Sequence, residues 1–340
     1  MRDFFIFNAM RNALYKIGML AVLAISTACN LTQSAASEKA IIIERELEAP
    51  NPVILKASVK KNLEYLSSNE LLGRETGTEG IEEAAVFIEI VFEENNIKPY
   101  FKTYRDTFGV GNKTAYNLIG VLEGSDPVLK KEFIILGAHY DHIGVGKAIN
   151  GDSIANGAND NASGTVGVLE LAKHFSKIHD NKRSLLFVLF SAEEMGLRGS
   201  KQLAEKLNSE GLNLYAMLNF EMIGVPMQDK NYLAYITGFE GSNLAQKFNE
   251  YSNSKIFGFL PQANEYKLFK RSDNYPFFQE FNVPAQTIST FDFTNYDYYH
   301  HVSDEAEKMD FSHISNLIQS VIPGIYKMAN TSEKEIKLNQ

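Results

Sequence analysis

Two hydrophobic rhythms run along this chain. Over 41–99, apolar residues recur every three or four positions, with Ile81, Ala84, Ala85, Ile88 and Val91 on one face, which predicts a mainly helical stretch. Further on, short apolar runs alternate with helical patterns. Segments 117–122 and 132–137 predict strands, and 165–178 predicts a helix with Val168, Leu171 and Phe175 on one face. Segment 184–190 is almost wholly apolar, as expected of a strand covered on both faces. Then 201–207 predicts a helix, 214–220 and 233–237 strands, 243–252 a helix, 284–289 a buried strand and 312–328 a closing helix.

Strands alternating with helices predict one three-layer α/β domain, with a mixed, mostly parallel central sheet and helices on both faces. The domain is expected to span 41–332, with no internal repeat and no room for an inserted domain between strands. In such sheets ligands gather at the carboxyl ends of the strands. His139 follows the strand at 132–137, Glu193 and Glu194 follow 184–190, and Glu221 follows 214–220.

These residues belong to five polar clusters: Ala138-His139-Tyr140-Asp141, Asn159-Asp160-Asn161-Ala162-Ser163-Gly164, Ser191-Ala192-Glu193-Glu194, Asn219-Phe220-Glu221-Met222-Ile223-Gly224 and Tyr299-His300-His301-Val302-Ser303-Asp304. Among their residues are two imidazoles and three carboxylates that can serve as ligands, and a further carboxylate that can serve as a base. That is the inventory of a two-metal hydrolase, which needs a shared ligand and a base to activate water. Each cluster alone has a plainer reading. A His-x-Asp is commonly a surface turn, a Glu-Glu pair is commonly solvated, and Ser163 suits a helix N-cap. The run Tyr296-Asp297-Tyr298-Tyr299 suits a half-buried strand or loop. Five such coincidences in one chain are harder to accept than one site.

In order and content the clusters resemble the M28 family of co-catalytic zinc peptidases, and so does an earlier segment, Leu66-Ser67-Ser68-Asn69-Glu70-Leu71-Leu72-Gly73-Arg74-Glu75-Thr76-Gly77-Thr78. The resemblance implies two zinc ions, one held by His139 and Glu221 and the other by Glu194 and His300, with Asp160 bridging them. It implies that Glu193 is the general base, that Asp141 orients His139, and that Tyr299 donates to the oxyanion. It also implies a cis peptide bond after Asp160. Two positions depart from the family pattern: Glu221 stands where many relatives have Asp, and His301 follows His300 as a rival ligand. Ser272-Asp273-Asn274 matches a segment that lines the family's site. His142, His174, His179 and His313 are claimed by no motif and are expected to be structural.

Peptide substrates and aminopeptidase action are what the resemblance implies first, because the site is rich in carboxylates that can hold a free amine. A carboxypeptidase or dipeptidase would need a cation for the terminal carboxylate, for which Lys267, Lys270 and Arg271 are candidates. A glutaminyl cyclase fits less well, since such relatives work with one zinc and this chain keeps all five ligand positions. A non-catalytic, receptor-like member would have lost ligands or the base, and this chain keeps Asp160 and Glu193.

The amino end predicts an address. Arg2, Arg11 and Lys16 precede a short apolar run at 17–25 and the small residues Ser26-Thr27-Ala28. The run is too short to span a membrane and reads as a signal peptide over 1–28. Cys29, the sole cysteine, stands where a bacterial lipoprotein is cut and lipidated, although Ser26 replaces the usual Leu, Ile or Val; an ordinary secretory signal is the other reading. Segment 29–40 reads as a polar tether, so the expected location is a bacterial membrane, by a lipid anchor. Removing the signal takes away three basic residues and one acidic one, so the net charge of −9 becomes −11. That balance excludes nucleic acid as a partner. A lone cysteine excludes an internal disulfide and a thiolate zinc site, leaving His and carboxylate as metal ligands.

Overall fold

Alternate residues of a pleated strand point to opposite faces, and the segment Ser184–Phe190 is apolar on both. Leu185, Phe187 and Leu189 join one apolar cluster, while Leu186, Val188 and Phe190 join another. The sheet therefore has two cores, one on each side. The computed structural model of the protein describes residues 53–339. The expected signal segment, the tether with Cys29 and the first part of the helical stretch lie outside the described residues.

The described chain opens with helices α1 (Lys56–Leu66) and α2 (Glu79–Glu94). Strands β1 (Lys98–Pro99), β2 (Arg105–Val110), β3 (Lys113–Leu122) and β4 (Glu132–His139) follow, then a small hairpin of β5 (Gly144–Ile149) and β6 (Asp152–Ala155). Next come α3 (Gly164–Ile178), β7 (Ser184–Phe190), α4 (Arg198–Ser209), β8 (Asn213–Glu221), β9 (Ala234–Ile236), α5 (Leu244–Tyr251) and β10 (Phe257–Gly258). The chain closes with α6 (Pro261–Glu265), α7 (Asn274–Phe281), β11 (Ala285–Ser289) and α8 (Phe311–Asn330).

Among the described residues nine strands form one sheet in the order β1-β3-β7-β4-β8-β11-β9-β10, with β2 paired to β3. Its centre, β7-β4-β8-β11, is parallel, and the pairings of β3 with β7 and of β11 with β9 are antiparallel. Residues of α1, α2, α3 and α8 cover one face; Leu203, Ala204 and Leu207 of α4 and Phe277 of α7 cover the other. Expectation and structure agree on the layers and on the long elements. The hairpin β5–β6 and strand β2 were not expected, because their exposed positions break the apolar alternation. Past α8 the chain stays on the domain: Ile336 is buried and its N–H donates to the Tyr215 hydroxyl at 2.9 Å.

Parallel order puts the carboxyl ends of β7, β4, β8 and β11 along one edge. His139 pairs with Phe190, and Glu221 pairs with Ser289. A buried guanidinium ties the loops beyond that edge. Arg74 donates through Nε to Tyr140 O at 2.9 Å, through Nη1 to Asn156 O at 2.6 Å and to Leu66 O, and through Nη2 to Gly157 O at 3.0 Å. Burial lowers its pKa to about 10, against the pull of Asp304, Asp160, Asp141 and Glu194, so it stays charged at neutral pH.

Arg74→Lys tests this tie, since an ammonium lacks the planar fork that reaches four carbonyls on three separate segments. Leaving buried carbonyls unpaired costs about 1–3 kcal/mol each, so urea unfolding should show a loss of about 3 kcal/mol. A loss near zero would mean that water serves those carbonyls as well.

Candidate metal centre

At the strand edge His139 is the last residue of β4 and Glu221 the last of β8. Their side chains meet: His139 Nε2 lies 3.1 Å from Glu221 Oε1. The other oxygen of Glu221 accepts the Ser272 hydroxyl at 2.7 Å, and Ser272 Oγ in turn accepts from Asn219 Nδ2 at 2.8 Å. The Ser272-Asp273-Asn274 segment thus acquires a role, which is to aim Glu221. Asn274 continues the chain of bonds by accepting from Thr287 Oγ1 at 2.8 Å.

Asp160 enters from the turn that opens α3, and its peptide bond to Asn161 is cis, as the family resemblance implied. Its neighbours fasten this turn to the end of β8. Asn159 Oδ1 accepts from Gly224 N at 2.8 Å, Asn161 Oδ1 from Met222 N at 3.0 Å, and Ser163 Oγ from Ile223 N at 2.9 Å. Asn161 Oδ1 also accepts from Gly164 N at 3.0 Å, so Asn161 takes the capping part that the sequence suggested for Ser163. From the far side the carboxylate of Asp304 accepts the N–H groups of Asn159 and Asp160 at 2.8 and 3.0 Å, and the Tyr296 hydroxyl at 2.6 Å.

Held this way, Asp160 presents its oxygens to two separate donor sets. Oδ1 lies 3.4 Å from His139 Nε2, and Oδ2 lies 3.2 Å from His300 Nε2. His300 Nε2 is also 3.1 Å from Glu194 Oε2. Zinc ligands at roughly 2.0–2.1 Å in a tetrahedron stand roughly 3.3 Å apart. The spacings of 3.1–3.4 Å around Asp160 therefore fit metal ligands, and the all His and carboxylate donor set fits zinc. Burial alone would lower the His300 imidazolium, but Asp160 and Glu194 beside it raise its pKa to about 10. Burial would raise the Asp160 carboxyl, yet the surrounding His142, His139 and His300 pull it well below the carboxylate range. Without a metal, protons on imidazoles balance the carboxylates, so metal uptake must release protons.

Glu193 and Glu194 leave β7 together, and both line the same cleft with His139, Asp160, Glu221 and His300. Only Glu194 reaches the imidazoles. Burial holds the Glu193 carboxyl well above its ordinary pKa, with Asp273, Glu221 and Glu194 adding to the effect. Asp141 orients His139, as expected, through its backbone carbonyl, and its side chain does something more. His139 Nδ1 is 3.1 Å from the backbone carbonyl of Asp141, and the carboxylate is farther, at 3.7 Å. That carboxylate accepts instead from Glu193 N at 3.1 Å, Glu194 N at 3.4 Å and the Thr76 hydroxyl at 3.3 Å. One residue thus orients His139 with its backbone and the Glu-Glu turn with its side chain.

His300 is the one that meets Asp160 and Glu194, whereas His301 does not line the cleft and its Nδ1 accepts the Ser303 N–H at 2.9 Å. Tyr299 lines the cleft, with its ring stacked between His300 at 3.9 Å and Phe291 at 5.6 Å. Met222, Leu268 and Phe293 complete an apolar wall. The residue that sequence reasoning missed is His142. Expected to be structural, it is buried inside the centre, with Nδ1 2.9 Å from Glu194 Oε1 and 3.9 Å from Asp160 Oδ2. Its place three residues after His139 was the one available signal. His174 meets Phe175 edge-on and does not line the cleft.

The model of the family described as Peptidase family M28 matches residues 117–323, more than half of the chain. The chain belongs to peptidase family M28. This M28 chain is 31% identical over 186 residues to "Leucine aminopeptidase 2" of Trichophyton equinum, an alignment covering 53% of this chain and 34% of the relative. It thus spans about a third of the length of that curated relative. Its fold is shared with the LapA aminopeptidase of Legionella pneumophila, at a TM-score of 0.66 and 21% identity over 85% of this chain and 76% of the other. The zinc aminopeptidase BSAP of Bacillus subtilis shares it too, at a TM-score of 0.65 and 14% identity over 84% and 98% of the two chains.

Asp304→Ala should release the Asp160 turn of this M28 chain. Backbone amide exchange at Asn159 and Asp160 should speed up markedly, while amides at the centre of β4 stay protected. Unchanged protection at both positions would show that the turn holds itself.

Proposed function

We propose that this M28 chain is a zinc-dependent aminopeptidase with two metal ions bridged by Asp160. The observation that carries the reading is the pair of Asp160 oxygens turned to different imidazoles, with Glu221 beside one and Glu194 beside the other. On this reading His139 and Glu221 hold one ion, and Glu194 and His300 the other. Zinc held there supplies Lewis acidity, which lowers the pKa of water and polarises a carbonyl. Glu193 takes the proton of the attacking water and returns it to the leaving amine. A carboxyl whose pKa burial raises holds a proton more readily than an ordinary carboxylate, which suits a group that must take one up and pass it on. The carboxylates around the cleft attract the substrate's free amine, the apolar wall receives its side chain, and the Tyr299 hydroxyl donates to the developing oxyanion.

A carboxypeptidase or dipeptidase reading has one observation in its favour. Arg271 lines the cleft, whereas Lys267 and Lys270 do not. Such a cation could receive a terminal carboxylate. We further propose that the protein is exported and anchored to a bacterial membrane by lipid on Cys29, a reading supported by the basic start, apolar run and small residues before that cysteine.

Metal analysis together with a panel of dipeptides tests the main reading. Two zinc ions per chain are expected, with cleavage of free-amine and C-amidated substrates and none of N-blocked ones. The reverse preference would make the enzyme a carboxypeptidase.

Glu193→Gln keeps size and hydrogen bonding but cannot accept a proton, so turnover should fall at least ~10²-fold with both metals retained. Glu194→Gln should instead weaken metal binding, because a neutral amide is a poor ligand. Exchanged phenotypes would reverse the two roles.

For the anchor, the protein purified from a bacterial host should begin at Cys29 and incorporate labelled fatty acid. A mature terminus elsewhere removes the proposal.

A further inference from the structure

We propose that His142 is a positioning residue of the metal centre: its Nδ1–H holds one oxygen of Glu194, turning the other oxygen toward His300 and the metal. The inference rests on the two-zinc reading and adds to it a sixth side chain that no motif claims. Each oxygen of Glu194 faces a different imidazole, Oε1 meeting His142 Nδ1 at 2.9 Å and Oε2 meeting His300 Nε2 at 3.1 Å. A metal-ligating carboxylate commonly has its remaining oxygen hydrogen-bonded in this manner.

The donor atoms of His142, Asp160 and Glu194 lie within 4.8 Å of one another, so His142 must also be weighed as a direct ligand. Two observations decide against that. His142 Nε2 is buried without a protein hydrogen-bond partner among the described residues. Were Nδ1 to give its lone pair to a metal, the ring proton would sit on that buried Nε2 with no acceptor, at the cost of an unpaired donor. With the proton on Nδ1 the ring makes its one strong bond, to Glu194. Secondly, Nδ1 stands 3.9 Å from Asp160 Oδ2, beyond the roughly 3.3 Å edge of a zinc tetrahedron, whereas 2.9 Å to Glu194 is a hydrogen-bond length.

The ring is also fixed in place. A Cβ at Gly157, whose φ is +58°, would meet His142 ring atoms at 2.6 Å, so only glycine leaves space for the imidazole. The His142 N–H donates to Arg74 O at 3.3 Å, and the ring meets His300 edge-on at a centroid distance of 5.7 Å. Arg74 thereby couples the loop carrying His142 to the one carrying Gly157, to whose carbonyl it donates at 3.0 Å.

Two variants test the proposal, with zinc and cobalt(II) affinity, stoichiometry and the cobalt(II) ligand-field spectrum as readouts. In His142→Asn the amide NH₂ is as many bonds from Cα as Nδ1 and keeps a donor for Glu194. In His142→Leu the donor is gone. The asparagine variant should bind two ions within a few-fold of wild-type affinity and with an unchanged cobalt spectrum. The leucine variant should bind one of the two ions ~10–100-fold more weakly. If the asparagine variant loses an ion and its spectrum changes, His142 is itself a ligand and the proposal is overturned. Full affinity in the leucine variant overturns it as well. Should the leucine variant fail to fold, the asparagine variant decides alone, because only the hydrogen-bond reading requires it to retain both ions. A wild-type protein that binds no zinc sinks the two-zinc reading together with this one, whereas failure confined to the variants sinks this one only.

Discussion

Crowding the carboxylates of Asp160, Glu193, Glu194 and Glu221 into one cleft is unfavourable unless each charge finds a partner. The whole centre is organised around that constraint. Imidazoles are interleaved among the acids: His139 stands between Asp160 and Glu221, and His300 between Asp160 and Glu194. Glu193 alone has no imidazole within contact, and it is the one whose carboxyl burial holds well above its ordinary pKa. The acid left without a counter-charge is the one proposed to move protons.

Charges at such close quarters hold their spacing only if the backbone beneath them is rigid. Parallel strands supply part of that rigidity by delivering His139 and Glu221 side by side from β4 and β8. The remaining ligands come from turns, and turns need fastening. Asn159, Asn161 and Ser163 sew the Asp160 turn to the residues after β8, while Asp304 grips it from the other side. Asp141 does the same for the Glu193-Glu194 turn. Behind all of these lies Arg74, whose guanidinium gathers four backbone carbonyls into one joint. Local sequence words such as Asn159-Asp160-Asn161 are thus mostly fastening, with one functional oxygen pair at the centre.

The family standing explains why so much of this was legible early. The clusters were read in the family's order, and each then proved to sit at a strand end or turn beside the others. Asp141 and Ser163 show where such reading stops. Asp141 orients His139 through its backbone, but its side chain also serves backbone groups of the distant Glu193–Glu194 turn, and Ser163 serves Ile223 rather than capping the helix.

Taken by itself, the sequence determined the layered α/β architecture, because the 2.0 and 3.6 residue periods of strand and helix are local properties. It determined the placing of His139, Glu193, Glu194 and Glu221 at strand ends for the same reason, since an end is where an apolar run stops. Only the tertiary structure decided which of two adjacent histidines faces Asp160. His300 does, while His301 turns to Ser303, and one residue of register sends neighbouring side chains to different partners. Only the tertiary structure brought His142 into the centre and Ser272 onto Glu221. Those contacts join segments some fifty residues apart, and hydrophobic periodicity carries no information about which polar side chains will meet across such a separation.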